Sequence, residues 1–170
     1  GGMESMSNSP YILPKMRGGA RIGHADVKDH MFLDGLEDAY DKGRLMGTFA
    51  ESTAEKYGFS REEQDDFALS SLARANDAIE KGHFKSEISP VTVKSRKSET
   101  IIDTDEQPGK ARPEKIPTLR PAFAKEGTVT AANSSSISDG ASAMVMMTAS
   151  EAEKRGLKPI ARIVAHSVHA

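Results

Sequence analysis

The chain has 170 residues, 37% hydrophobic and 28% charged, the make-up of one ordinary globular domain with room for a core. A net charge of −2 gives no reason to expect nucleic acid or a membrane as partner, and no apolar run approaches the ~20 residues that span a bilayer. Cysteine is absent, which excludes disulfides, zinc–thiolate sites and a thiolate nucleophile from these residues. The plain expectation is a cytoplasmic location and a core of Ala, Val, Ile, Leu and Met.

Gly1-Gly2 ahead of Met3 reads either as the remnant of an added tag or as internal sequence of a longer protein. Residues 1–24 carry turn signals at Asn8-Ser9-Pro10 and Gly18-Gly19 and are expected to be irregular. From Asp26 to Tyr40, Met31, Phe32, Leu36 and Tyr40 recur at near-helical spacing. Phe49 to Tyr57 predicts a short helix closed by Gly58. Ser60-Arg61-Glu62-Glu63 has the form of a capping box, and Gln64, Phe67, Ala68, Leu72, Ala75, Ala78 and Ile79 then keep one largely apolar face until Gly82 stops the helix.

Strand signals follow at Ile88 to Val93 and Thr100 to Ile102, and the charged Lys94–Ser98 between them suggests a hairpin. Asp103 to Arg120, with Pro108, Pro113 and Pro117, is expected to be an extended loop. A run of small residues comes next, Ala131-Ala132-Asn133-Ser134-Ser135-Ser136 and then Asp139-Gly140-Ala141. Small side chains allow either close packing or a ligand lying along the backbone. Ala143 to Met147 is expected to be a buried strand, Thr148-Ala149-Ser150-Glu151 to open a short helix ending at Gly156, and Ile160 to Ala165 to be a further strand. Such a unit could pair into a parallel sheet.

Among recognisable chemical motifs, no G-x-S-x-G, Walker A or G-x-G-x-x-G occurs. His24, His30, His83, His166 and His169 lack ligand spacing beyond a loose terminal pair, so no metal site is expected. The carboxylate pairs Glu62-Glu63 and Asp65-Asp66 sit where a helix dipole favours them and read as structural.

Four stretches, in order along the whole chain, resemble the thiolase family. Gly1-Gly2-Met3-Glu4-Ser5-Met6-Ser7 resembles the segment that follows its nucleophilic cysteine. Ser60-Arg61-Glu62-Glu63-Gln64-Asp65 resembles its S-R-x-x-Q-D helix start. Leu119-Arg120-Pro121-Ala122-Phe123, with Gly127-Thr128-Val129-Thr130-Ala131-Ala132-Asn133-Ser134-Ser135, resembles its L-R-P-x-F and G-T-V-T-A-x-N motifs, and Ser138-Asp139-Gly140-Ala141 its D-G-A. On this resemblance Gly1-Gly2 is native sequence.

The resemblance implies an α/β, thiolase-like fold with residues 1–8 ending a core strand, 9–138 forming the inserted loop domain, and 139–170 returning to the αβ core. It implies a segment of an acetyl-CoA C-acetyltransferase, which condenses two acetyl-CoA to acetoacetyl-CoA or cleaves it, with coenzyme A thioesters as substrate and no permanently bound cofactor. A homodimer or homotetramer is expected of the parent enzyme. No catalytic residue is expected here: the nucleophilic cysteine, a second cysteine, a histidine and an asparagine belong outside the segment, so the segment alone is expected to be inactive. Ser135 matches the family serine that bonds the pantetheine amide, with Phe123, Ala131 and Ser134 along the same channel and Met46, next to Leu45, near the acyl end.

Two departures bear on substrate. Leu45 stands where many biosynthetic thiolases carry His, and Ser134-Ser135-Ser136-Ile137-Ser138-Asp139 resembles the form of some degradative 3-ketoacyl-CoA thiolases. Pro10-Tyr11 and Asp34–Tyr40 look more like the acetoacetyl-CoA class. The basic residues that would hold the nucleotide end do not align around Lys110 and Arg112. A non-catalytic acyl-CoA-binding relative and a pure assembly module remain the competing readings.

Overall fold

Local capping signals place the two main helices. In the computed structural model, which describes residues 1–168, helix α1 runs Met46–Tyr57 and helix α2 runs Arg61–Glu80. His169 and Ala170 lie outside the described residues. The Ser60 hydroxyl accepts from the Glu63 amide at 3.1 Å, and the Glu63 carboxylate accepts from the Ser60 amide at 2.8 Å. Both partners of the capping box are therefore in place. Gly58 and Gly82 both have φ of 70°, the left-handed value that ends a helix without strain only at glycine. Helix α1 starts three residues ahead of the expected Phe49, because Thr48 bonds back to the Leu45 carbonyl through both its amide and its hydroxyl.

Among the described residues the strands form three antiparallel pairs: β1 (Gly2–Glu4) with β6 (Gly140–Ser142), β2 (Tyr11–Ile12) with β3 (Lys28–Asp29), and β4 (Val91–Lys94) with β5 (Glu99–Ile102). The β4–β5 pair is the expected hairpin, starting just past Pro90, whose missing N–H cannot serve the ladder. Within Asp26–Tyr40 only Phe32–Leu36 winds, as a single wide turn.

Three expectations are corrected. Residues 103–120 are not an extended loop: helix α3 spans Glu106–Lys110 and a 3-10 turn spans Pro113–Thr118. Asp105 caps α3 by accepting from the Gln107 amide, and Pro108 and Pro113 fall in first turns, where no N–H is needed. Ala143–Met147 is neither a strand nor buried, and Ile160–Ala165 is not a strand. Val145 is 88% exposed and Ile163 is 74% exposed. A strand exists only when a neighbour completes its hydrogen bonds, and none stands beside these residues among those described. Hence no parallel strand–helix–strand unit forms, although its helix does, as α4 (Ala149–Lys154) capped by Thr148 and followed by Gly156 at φ 65°. The face of α2 is also less buried than its pattern suggests, with Phe67 74% exposed.

Contacts divide the chain into two units: Gly1–Asn8 together with Ser138 onward, and Ser9–Ile137. In the first, Asp139 accepts from the Ser7 hydroxyl, the Ser7 amide and the Ser5 hydroxyl, tying the exit of β1 to the entry of β6. The Ser7 hydroxyl foremost, then the Ser7 amide, hold the Asp139 carboxyl below its usual range. In the second unit the buried apolar residues are Ala54, Ile116 and Val129, a small core around α1, α2 and the residues that follow. The chain exposes 14742 Å², whereas a self-contained monomer of 18.3 kDa exposes about 8,100 Å². Among the described residues no helix is long and apolar enough to cross a membrane.

Candidate functional site

The small-residue stretch from Thr128 to Ser135 is held by side chains of both main helices. From α1, Glu51 accepts the Thr128 amide on Oε2 and the Val129 amide on Oε1, each at 2.9 Å. A Cβ at Gly127 would overlap the Glu51 carboxylate, so a larger residue there would have to displace it. From α2, Gln64 donates to the Thr128 hydroxyl at 2.8 Å, and the Asn133 amide reaches the Thr128 carbonyl at 3.1 Å. Asp65, only 6% exposed, pairs with Arg61 at 2.7 Å and lies 3.4 Å from the Asn133 amide. Arg61 Nη2 donates to the Ile116 and Leu119 carbonyls, which is what turns residues 113–119 back against α2. A buried carboxylate is tolerable because its partners are charged and well aligned.

Inside the stretch, Thr130 is fully buried and its amide donates to Asn133 Oδ1 at 2.7 Å. The Ser134 hydroxyl donates to the Thr130 carbonyl at 2.7 Å, so it is committed to the backbone. Ser135 differs. It is exposed, and among the described residues its hydroxyl has no hydrogen-bond partner. Ser134 and Ser135 form one wall of a groove of about 690 Å³ whose other wall is Phe59, Phe67 and Ala68 of the α2 region. That groove offers an apolar side, an open hydroxyl and a chain of small residues. Such a surface suits an extended ligand carrying amides.

The other expected residues gather elsewhere in the same unit. Leu45 caps α1 and Met46 begins it, 43% exposed. Phe123 lies with its ring against Gly47, where a Cβ would overlap the ring. Leu45 and Met46 thus stand at the start of α1, next in sequence to the Gly47 that receives Phe123, and none of the three lines the Ser134–Ser135 groove. Ala131 is exposed and is not part of the groove wall. The structure therefore sets five of the six expected residues in two groups, Ser134 and Ser135 in the groove and Leu45, Met46 and Phe123 near the start of α1, with Ala131 in neither.

Sequence reasoning missed Phe59 and Phe67 as groove residues and Glu51 as the support. Phe67 sits on the face assigned to the core, and only its exposure reveals the groove. Glu51 had no local signal, because its partners lie 77 residues away. Gln64 had one: it is the polar member of an otherwise apolar helical face, and it bonds the Thr128 hydroxyl. Among the described residues no three or more His, Cys, Asp or Glu side chains stand close enough to hold a metal.

Comparison with known proteins places this geometry in context. Residues 1–150 match the family model described as thiolase, N-terminal domain. An acetyl-CoA acetyltransferase IA from Candida tropicalis is 48% identical over 166 residues, 96% of this chain and 41% of that protein. An acetyl-CoA acetyltransferase from Pseudomonas aeruginosa is 48% identical over 169 residues, 98% of this chain and 43% of that protein. Among solved structures, the Bacillus anthracis acetyl-CoA acetyltransferase superposes with a TM-score of 0.80 at 42% identity, covering 94% of this chain and 40% of that one. The enzyme of the same name from Syntrophomonas wolfei gives 0.78 at 44% identity. The chain thus spans about two fifths of the length of these relatives.

Proposed function

The chain belongs to the thiolase family and has its α/β fold, and on that premise we propose that it is part of an acetyl-CoA C-acetyltransferase and supplies one wall of the channel for the pantetheine arm of coenzyme A. The observation that carries this reading is the open Ser135 hydroxyl, set in a groove with an apolar opposite wall. An extended chain with two amides needs few polar partners and close backbone approach, which the residues from Ala131 to Ser135 offer. Met46 would stand near the acyl end, as the family resemblance implies, and Phe123, packed against the neighbouring Gly47, beside the pantetheine arm.

The reacting groups belong to polypeptide beyond these 170 residues. Thioester chemistry of this class needs a thiolate, and no side chain here replaces one at neutral pH. The exposure of Met144, Val145, Ile160 and Ile163 supports this division, because such an apolar surface calls for covering polypeptide. The relatives reported above are named acetyl-CoA acetyltransferases, which favours acetyl and acetoacetyl thioesters over longer 3-ketoacyl ones. A homodimer or homotetramer fits the hairpin β4–β5, which leaves Val91, Val93, Ile101 and Ile102 exposed.

The test is CoA-dependent cleavage of acetoacetyl-CoA by the full-length protein and its Ser135→Ala variant. Losing one neutral hydrogen bond of about 1 kcal/mol raises KM for coenzyme A about five-fold and leaves kcat nearly unchanged. A full-length protein without CoA-dependent cleavage rejects the enzymatic reading, and an unchanged KM in the variant rejects the role of Ser135.

A further inference from the structure

Resting on that reading, we infer that Glu51 is a positioning residue for the site: one carboxylate on α1 sets where the Ser134–Ser135 wall stands relative to Phe123. Three observations carry it. The Glu51 carboxylate accepts two successive backbone amides, Thr128 on Oε2 at 2.9 Å and on Oε1 at 3.1 Å, and Val129 on Oε1 at 2.9 Å. Gly47, which receives the Phe123 ring, lies four residues before Glu51 and so on the same face of the helix. The Ala122 amide donates to the Val129 carbonyl at 2.9 Å, closing the loop between the residue before Phe123 and the residues that Glu51 holds. One helical turn therefore fixes both clusters.

Downstream of Val129 the geometry leaves little slack. Thr130 is fully buried, its amide bonds the Asn133 side chain, and the Ser134 hydroxyl bonds its carbonyl. A shift at Thr128–Val129 moves Ser134 and Ser135 with it, while α1 and its Gly47 seat for the Phe123 ring stay in place. A glutamine at position 51 keeps one acceptor but turns an NH2 toward the Thr128 amide, so the shorter of the two Thr128 bonds is lost and two donors face each other. Aspartate keeps both acceptors but sits one methylene short.

The experiment measures kcat and KM for coenzyme A in acetoacetyl-CoA cleavage by full-length wild type, E51Q and E51D, with melting temperature alongside. The expected result is a KM raised about ten-fold in E51Q with kcat within about two-fold, and a smaller rise, about three-fold, in E51D. A melting temperature that falls while KM holds at the wild-type value makes Glu51 a purely structural tie and overturns the inference. If E51Q does not accumulate as folded protein, E51D decides: a raised KM supports the inference and an unchanged one overturns it. Wild-type protein without CoA-dependent cleavage overturns the functional reading and this inference together. Wild-type activity with unaltered KM in the variants overturns this inference alone.

Discussion

Two stretches of this chain carry small or apolar residues in similar density and fare differently. Thr128–Ser135 is fixed by Glu51, Gln64, Asp65 and Asn133 and reaches full burial at Thr130. Residues 143–168 have the more apolar sequence, yet outside the short helix α4 they form no regular element, and Val145 and Val164 are 88% and 80% exposed. The first stretch brings its own polar partners from nearby helices. The second depends on a surface to cover it. Hydrophobicity favours burial only where something is available to be buried against.

The largest expected effect breaks that contrast directly. Val145→Asp should leave the 170-residue chain almost unchanged in stability, because the side chain is already in water. In the full-length protein, where the proposed function covers this surface, it should cost more than about 4 kcal/mol by stranding an unpaired charge. Urea unfolding of both proteins measures it, and equal small effects would mean that the surface stays open.

Next comes the polar clamp itself. Asp65→Ala removes a carboxylate that is 6% exposed and leaves the half-buried Arg61 without its charged partner, at a cost of about 2–4 kcal/mol. Denaturant midpoints check it, and a loss under about 1 kcal/mol would show that Gln64 and Glu51 suffice to hold the stretch.

The smallest effect concerns the other unit. Asp139 titrates below its usual range chiefly because of the Ser7 hydroxyl, so Ser7→Ala should raise its pKa toward 3.8. A depressed native pKa adds stability above the unfolded value, and that contribution disappears as pH falls through the native pKa. The difference between wild type and variant should therefore be present above about pH 4 and fade in more acidic solution. A carbon-detected titration of the Asp139 carboxyl reads the shift, and identical curves would remove Ser7 from the account.

How much was legible follows the same division. Helix α2 could be read because Ser60, Glu63 and Gly82 act within a turn of where they stand, and the β4–β5 hairpin because its partners are neighbours in sequence. The helical turns at 106–110 and 113–118 were hidden by Pro108 and Pro113, which fall in first turns where an N–H is not needed, and by Arg61, more than fifty residues away. The strands expected at 143–147 and 160–165 failed for the opposite reason: their sequences suit a sheet, but strand structure belongs to a pair. Of the site, Ser135 and Phe123 came from motif resemblance, and the separation of Ser134 and Ser135 from Leu45, Met46 and Phe123 came only with the structure. Glu51 could not be found from sequence at all.

The pairing of β1 with β6 has a consequence for how the molecule reaches this state. Ser7 and Asp139 meet across 132 positions of chain, and closing a flexible loop of that length costs about 4 kcal/mol in entropy. A three-residue ladder cannot meet that cost early. Residues 9–137 must collapse first and draw their ends together, so the strand pair is a late event in folding, and pulsed amide exchange should find Met3 and Ala141 among the last to gain protection.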